Sequence, residues 1–270
     1  MQLNFYKYQG TGNDFIMVDD RHLTFPIDDI GLIARLCDRK FGIGADGLIL
    51  LQPHVSQSYF MKYYNSDGKE SSMCGNGGRC LAAFALHMGI AVGKHSFMAI
   101  DGIHDAEPEG DINKDVWIKL KMKDVEQIEI RENNIFILNT GSPHYVQFSA
   151  QNIDSLNIVA DAKSIRYNQE FTKEGINVNF VNLIGINEIS MRTYERGVED
   201  ETLSCGTGVT AAALSSSMLN NLPNGLHTTN VITPGGRLKV TFHYNADNST
   251  FNNVWLQGPA TQVFKGSVEI

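Results

Sequence analysis

Apolar positions along the chain fall into two kinds of run. Leu48-Ile49-Leu50-Leu51, Phe60-Met61-Lys62-Tyr63-Tyr64, Ile135-Phe136-Ile137-Leu138 and Val178-Asn179-Phe180-Val181 are short and bounded by polar residues, and they predict strands. Leu32 to Arg39, Arg79 to Met88 and Val209 to Leu219 predict helices. The second of these closes on Gly89 and is apolar nearly all round, with Leu81 to Leu86 and Met88. The third carries Val209, Ala211 to Leu214, Met218 and Leu219. A helix apolar on most faces is buried inside a domain, not laid on its surface. The pattern therefore predicts an α/β (α+β) chain in which strands wrap around a central helix, twice.

The doubling is also visible as an internal repeat. Glu70-Ser71-Ser72-Met73-Cys74-Gly75-Asn76-Gly77 reappears as Glu201-Thr202-Leu203-Ser204-Cys205-Gly206-Thr207-Gly208, with the cysteines 131 residues apart. Thr11-Gly12-Asn13 matches Thr140-Gly141-Ser142, and Gly42-Ile43 matches Gly175-Ile176. The two tryptophans stand in Asp115-Val116-Trp117-Ile118 and Asn253-Val254-Trp255-Leu256. These matches keep their order in both halves, which predicts two pseudo-symmetric domains related by a pseudo-twofold axis. The seam is expected near residues 119–133, where Ile118, Leu120 and Met122 alternate with charge like a half-exposed strand entering a crossover. We take residues 1–121 as the first domain, with 259–270 returning to it as a strand, and 122–258 as the second.

Composition narrows the class. The 270 residues are 42% hydrophobic, enough for a packed core, and the net charge of −8 argues against nucleic acid or an anionic membrane surface as partner. No apolar run reaches the ~18–20 residues that span a bilayer. The start, Met1 to Lys7, has neither a basic nor an apolar leader region. Four cysteines are too few for a disulfide scaffold and fit a reducing cytosol. The expectation is a cytoplasmic enzyme or small-molecule binder.

The chemistry concentrates at the two Cys-Gly-x-Gly turns, each ahead of a central helix. Glycine lets the backbone approach a ligand closely and exposes successive N–H groups at a helix start, where a carboxylate can be held. A cysteine there feels the positive end of the helix dipole, which favours thiolate. A twofold axis would set the two turns on either side of one small anion. One thiolate and one thiol then suit inversion at a carbon beside a carboxylate, since inversion needs a base on one face and an acid on the other. Helix-end N–H groups would stabilise the carbanion. Cys37 and Cys80 lack a glycine turn and read as core. No C-x-x-C or H-E-x-x-H occurs, so no metal is expected. Gly42-Ile43-Gly44-Ala45-Asp46-Gly47 fits the dinucleotide fingerprint but lies between a helix and a following strand, the reverse of the order that fingerprint needs.

These residues resemble the diaminopimelate epimerase family. Asn65-Ser66-Asp67-Gly68 through Met73 to Cys80 is similar to its first catalytic motif, and Tyr194-Glu195-Arg196-Gly197 through Glu201 to Gly208 to its second. Gly10 to Phe15, Phe41 to Gly47, Gly141-Ser142-Pro143-His144 and Pro234-Gly235-Gly236 follow in the family's order. The resemblance implies two domains, each a β-barrel-like sheet around a central helix, with the active site in the cleft between them. It implies inversion of one stereocentre of LL-2,6-diaminoheptanedioate to the meso form, for lysine and peptidoglycan synthesis, with no cofactor. It assigns Cys74 as proton donor and Cys205 as acceptor in the LL-to-meso direction; the residues alone leave the direction open. Asn13, Asn65, Asn177, Glu195 and Arg196 fall on substrate-binding positions, and Gly75-Asn76 and Gly206-Thr207 on the turns that hold the reacting carboxylate. His144 and Glu195 fall on positions that tune the cysteines, and a homodimer is implied, through the segment around Phe264.

Three departures stand out. Ser142 replaces an Asn found in many relatives, Gly47 replaces a Gln found in some, and Val198-Glu199-Asp200 is one residue longer than usual. The competing readings are a proline or hydroxyproline racemase on the same fold, and an amino-acid-binding or redox-sensing protein with a reversible disulfide. Phenazine-pathway isomerases share the fold but use an acidic residue where this chain has its cysteine pair.

Overall fold

The structure is a computed structural model that describes residues 1–71, 73–110 and 116–270; Ser72 of the first cysteine motif and Asp115 before Trp117 lie outside the described residues. The chain divides into two units, Met1–Leu120 with Gly258–Ile270, and Lys121–Gln257.

In the first unit, strands β1 (Gln2–Gly10) and β2 (Asn13–Asp19) form an antiparallel hairpin. Helix α1 (Ile30–Cys37) then leads to β3 (Gly47–Gln52), which lies parallel to β2. Parallel neighbours need a crossover, and α1 supplies it. Strand β4 (Phe60–Asn65) returns antiparallel to β3 and is followed by helix α2 (Gly75–His87). Strands β5 (His95–Ala99), β6 (Gly102–Glu109) and β7 (Val116–Lys121) complete a meander. The unbroken apolar run of β3 has a physical cause, because both of its faces are covered. Ile49 and Leu51, with Phe15 and Met17 of β2, pack on α2; Leu48 and Leu50, with Ile16 and Val18, pack on the α1 side.

The second unit repeats this plan. Strands β8 (Ile128–Arg131), β9 (Ile135–Asn139) and β10 (Pro143–Phe148) are antiparallel neighbours. Helix α3 (Ile158–Arg166) is the crossover to β11 (Asn177–Gly185), parallel to β10. Strands β12 (Glu188–Glu195) and β13 (Asp200–Thr202) precede helix α4 (Gly206–Leu219). Strands β14 (Gly225–Thr233), β15 (Gly236–Asn245) and β16 (Thr250–Glu269) follow. The first part of β16 pairs with β15, and its far end, Thr261 to Glu269, pairs with β1 in the first unit's sheet. Helix α4 is buried by apolar residues of β9 to β12, β14, β15 and β16, while α3 covers the outer face through Ile158 and Ala162. Val159 and Ile165 pack beside them, and this helix is not among those expected from the sequence.

The duplication extends to the strand register. Phe15 pairs with Gly47 across β2 and β3, and His144 pairs with Asn177 across β10 and β11. Gly47 lies opposite Asn65, and Val178 lies opposite Tyr194, which sets Asn177 beside Glu195. Both central helices begin earlier than their apolar pattern predicts, at Gly75 and Gly206 instead of Arg79 and Val209. Glycine counts against a helix by propensity, but here packing requires it. A Cβ on Gly77 would come within 3.0 Å of Ile49 Cδ1, and one on Gly208 within 2.6 Å of Asn179 Oδ1.

Candidate active site

Because the helices start at those glycines, Cys74 and Cys205 are their N-cap residues, both in extended backbone conformation. The first intrahelical bonds run from Gly78 N–H to the Cys74 carbonyl at 2.7 Å and from Val209 N–H to the Cys205 carbonyl at 2.8 Å. The N–H groups of residues 75–77 and 206–208 precede those bonds, so the helix itself offers them no acceptor. Each cysteine thus stands at the positive end of a buried helix dipole. Cys37 and Cys80 differ: burial pushes both thiols up to about 12, as expected of core residues.

In the first unit a line of hydrogen bonds orients the amides at this turn. Asn76, fully buried, donates through Nδ2 to Asn13 Oδ1 at 2.6 Å, and Asn13 donates through Nδ2 to Asp46 Oδ2 at 3.0 Å. Arg39 holds Asp46 and Asp14 from the other side, at 2.8 and 2.7 Å. At the inner end the Arg79 guanidinium donates to Asn76 Oδ1 at 2.8 Å and to Thr11 Oγ1 at 3.0 Å. The segment that mimics a dinucleotide fingerprint therefore has a structural role, because its Asp46 anchors Asn13. Asn65 is exposed at the end of β4, directly opposite Gly47. A Cβ on Gly47 would lie 2.5 Å from both Tyr63 Cε2 and the Tyr64 carbonyl, so Tyr63 occupies the room a glutamine would need.

The corresponding turn of the second unit is built from neutral groups. His144 is fully buried, and burial, with the Arg196 charge acting the same way, pulls its pKa down to about 3, so the ring is neutral. Asn179 Nδ2, whose oxygen accepts from Thr193 Oγ1 at 3.0 Å, meets His144 Nδ1 at 3.2 Å. That leaves His144 Nε2 as the protonated nitrogen, 2.9 Å from Thr207 Oγ1. The Thr207 hydroxyl is in turn 3.4 Å from Cys205 Sγ. Ser142 joins the cluster, with its Oγ 3.2 Å from His144 Nε2 and accepting from Asn177 Nδ2 at 2.8 Å. The serine departure therefore leaves a polar link in place.

Asn177 also ties the loop after β12 to the sheet, since its Oδ1 accepts the Arg196 N–H at 2.9 Å. The exposed Arg196 side chain reaches back to the Glu174 carbonyl at 2.9 Å. Its stem crosses Gly175, where φ is +76° and an added Cβ would come within 2.6 Å of Arg196 Cδ. Burial raises the Glu195 carboxyl above its ordinary value, partly offset by the Thr202 hydroxyl at 3.0 Å. Glu199, within the longer stretch, is clamped: burial opposes its charge, yet bonds from Tyr167 and the Gly197 N–H, with the Arg166 guanidinium, hold its carboxyl at about 2. The longer loop is pinned by that clamp. Thr11, Arg79, Asn179 and Asp46 received no role from the sequence. Asp46 reaches Asn13 from 33 residues away, Asn179 reaches His144 from 35 and Arg79 reaches Thr11 from 68, and only the fold reveals these contacts.

Among the described residues, no group of three His, Cys, Asp or Glu could hold a metal ion, and no helix is long and apolar enough to cross a membrane. A phenazine biosynthesis protein of the PhzF family from Bacillus anthracis superposes with a TM-score of 0.77 at 14% identity, covering 100% of both chains. A hydroxyproline epimerase from Agrobacterium vitis gives 0.65 at 12% identity, covering 99% of this chain and 91% of that one. These likenesses define the class by fold, a duplicated α/β architecture with β-barrel sheets and few helices. The family model described as diaminopimelate epimerase matches residues 5–111 and 136–263. The diaminopimelate epimerase of Flavobacterium psychrophilum is 50% identical over 266 residues, 98% of this chain and 100% of that one. That of Chlorobaculum tepidum is 38% identical over 263 residues, 97% and 99% of the two chains. The chain belongs to the diaminopimelate epimerase family, and it is an isomerase.

Proposed function

We propose that this chain interconverts LL- and meso-diaminopimelate by a two-base proton transfer in which Cys74 and Cys205 are the acid and the base. In the LL-to-meso direction the Cys205 thiolate takes the α-proton and the Cys74 thiol delivers one to the opposite face. The charge passes from one sulfur to the other, and reversal exchanges their roles. The observation that carries this is the repeated placement of a cysteine at the N-cap of a buried, glycine-opened helix. The N–H groups of Gly75, Asn76, Gly206 and Thr207 suit the reacting carboxylate, whose negative charge grows in the carbanion. Asn13, Asn65, Asn177, Glu195 and Arg196 bind the substrate, with the planar Arg196 fork suited to the distal carboxylate. Neutral His144, acting through Thr207, and Glu195 tune the thiols. The reaction takes place in the cytoplasm, as part of lysine and peptidoglycan synthesis, and the enzyme works as a homodimer. Exposed Val263 and Phe264, beside a cavity of about 300 Å³ that they line with Lys7, Arg39 and Ile43, support that last reading.

Proton NMR in D2O with reduced enzyme and LL-diaminopimelate tests the reaction, with proline in parallel. Loss of the α-proton signal together with appearance of the meso isomer is expected. Exchange of proline alone would overturn the substrate, and full turnover by a Cys74→Ala, Cys205→Ala double variant would overturn the two-thiol chemistry.

A further inference from the structure

Arg79 is a charged side chain with no exposed surface, and among the described residues it is the largest fully buried side chain. An arginine in such a place remains a cation, and a buried cation normally has a carboxylate beside it. Among the described residues Arg79 forms no ion pair. Only its Nη2 is used, toward Thr11 and Asn76, while Nε and Nη1 have no hydrogen-bond partner. The groups whose charge it feels are two cysteines, Cys80 and Cys74. Cys80 is held as a thiol by burial, so it is no counter-ion.

The position aligned with Arg79 in the other repeat, five residues after the cysteine, is Thr210. It is equally buried, uncharged, and bonded to the Gly206 carbonyl at 3.0 Å. The two halves therefore support their cysteines by different physics. Behind Cys205 stands a neutral chain, Asn179 to His144 to Thr207. Behind Cys74 stands an unpaired positive charge. A full charge in a water-poor setting favours a nearby anion more than one neutral hydroxyl does.

We propose that Arg79 is a positioning residue that fixes the Asn76 carboxamide toward Asn13 and supplies the buried positive charge that makes Cys74 the thiolate, and Cys205 the thiol, in the unliganded enzyme. The proposal rests on the reading of these two cysteines as the acid–base pair. With Cys74 as the thiolate and Cys205 as the thiol, the unliganded enzyme is primed for the meso-to-LL direction. A phenol and three carboxylates of this unit do not offset the Arg79 charge. Tyr8 of β1 stays a neutral phenol because burial raises its pKa. Glu70 is paired with Lys62 of β4 at 2.9 Å, and Asp46 and Asp14 are both paired with Arg39.

The test is a short iodoacetamide pulse on the reduced, unliganded enzyme across pH 5 to 9.5, with Cys74 and Cys205 alkylation read separately by peptide mass spectrometry. The midpoint in pH is the readout, because it does not depend on how exposed each sulfur is. In the wild type the Cys74 midpoint is expected below that of Cys205, and the reverse order overturns the proposal whatever the variants do. In Arg79→Met the Cys74 midpoint is expected to rise by about one pH unit, roughly a tenfold loss of alkylation rate at pH 6.5, with Cys205 unmoved. Arg79→Lys keeps the charge and is expected to restore the midpoint, but not the Asn76 clamp, so KM stays raised. Equal Cys74 profiles in Met and Lys variants, both with reduced activity, would reduce Arg79 to a packing role. Alkylation does not require turnover, so failure of the two-thiol reading shows separately, as activity surviving loss of both cysteines.

Discussion

His144 is a histidine whose value lies in staying uncharged. Its ring passes one hydrogen bond from Asn179 toward Thr207, and protonation would turn its acceptor nitrogen into a second donor facing the Asn179 amide. The folded-state pKa of about 3 lies below the ordinary 6.5. As pH falls through 6.5 the unfolded chain takes up a proton that the folded one refuses, so stability is lost progressively between pH 6.5 and 3. From pH 7 to 5 this amounts to about 2 kcal/mol. Urea unfolding at those two pH values is expected to show the wild type losing about that much more than His144→Gln. Asp14 and Glu199 contribute little to this difference, because both are held near 2 and lose their stabilisation below pH 5. Equal losses in wild type and variant would mean that His144 titrates normally. Arg196 poses a second question at this scale. Gly175→Ala would drive a Cβ against its stem at a φ that alanine tolerates poorly. If Arg196 clamps the distal carboxylate, KM is expected to rise about tenfold while kcat changes less than about twofold. An unchanged KM would remove Arg196 from that role.

At the scale of elements, glycines at the helix starts invert the usual rule. Replacing a helical glycine by alanine commonly gains about 0.4–1 kcal/mol. At Gly208 the new methyl would instead meet Asn179 Oδ1 at 2.6 Å and His144 Cε1 at 3.3 Å, both in the relay toward Cys205. Gly208→Ala is therefore expected to lower stability by about 1–3 kcal/mol and kcat with it. Gly77→Ala meets the end of the Ile49 side chain at 3.0 Å, which can yield, and should cost less. A thermal melt and a rate assay on the pair decide the matter, and a more stable Gly208→Ala would show that the helix and strand have room to part. The same glycines explain what the sequence revealed and what it hid. Apolar runs such as Leu48 to Leu51 located the buried strands, and both central helices were legible from their all-round apolar faces. Their first turns were not, because propensity penalises glycine while the packing that requires it comes from strands distant in sequence. The α3 crossover fully buries only Ile158 and Ala162, with Val159 and Ile165 half-buried against the same cluster, in a helix of only nine residues, and it is not among the helices expected from the sequence.

The whole molecule was legible as a plan, because the Cys-Gly-x-Gly repeat and its flanking matches give two similar units without any structure. The differences between the halves needed the fold: a phenylalanine answers a histidine and a glycine answers an asparagine at matching register positions, and an arginine answers a threonine at matching positions of the central helices. Chain connectivity also separates the units. The apolar clusters around α4 and α3 are built wholly from residues of the second unit, between Met122 and Leu256. The clusters of the first unit draw on Ala260, Val268 and Ile270, and β1 depends on Thr261 to Glu269 for its outer pairing. A fragment of residues 121–257 should therefore fold alone, at a size typical of a domain, whereas residues 1–120 alone would leave β1 an open edge over an incomplete core. Circular dichroism with urea titration is expected to show a cooperative transition for the first fragment and none for the second. Adding residues 258–270 to the second fragment through a flexible linker is expected to restore its transition. Neither fragment should exchange the substrate α-proton with inversion, since each carries one of the two N-cap cysteines and the reaction needs both. Cooperative folding of residues 1–120 without the returning strand would show that β16 is dispensable to the first unit's core.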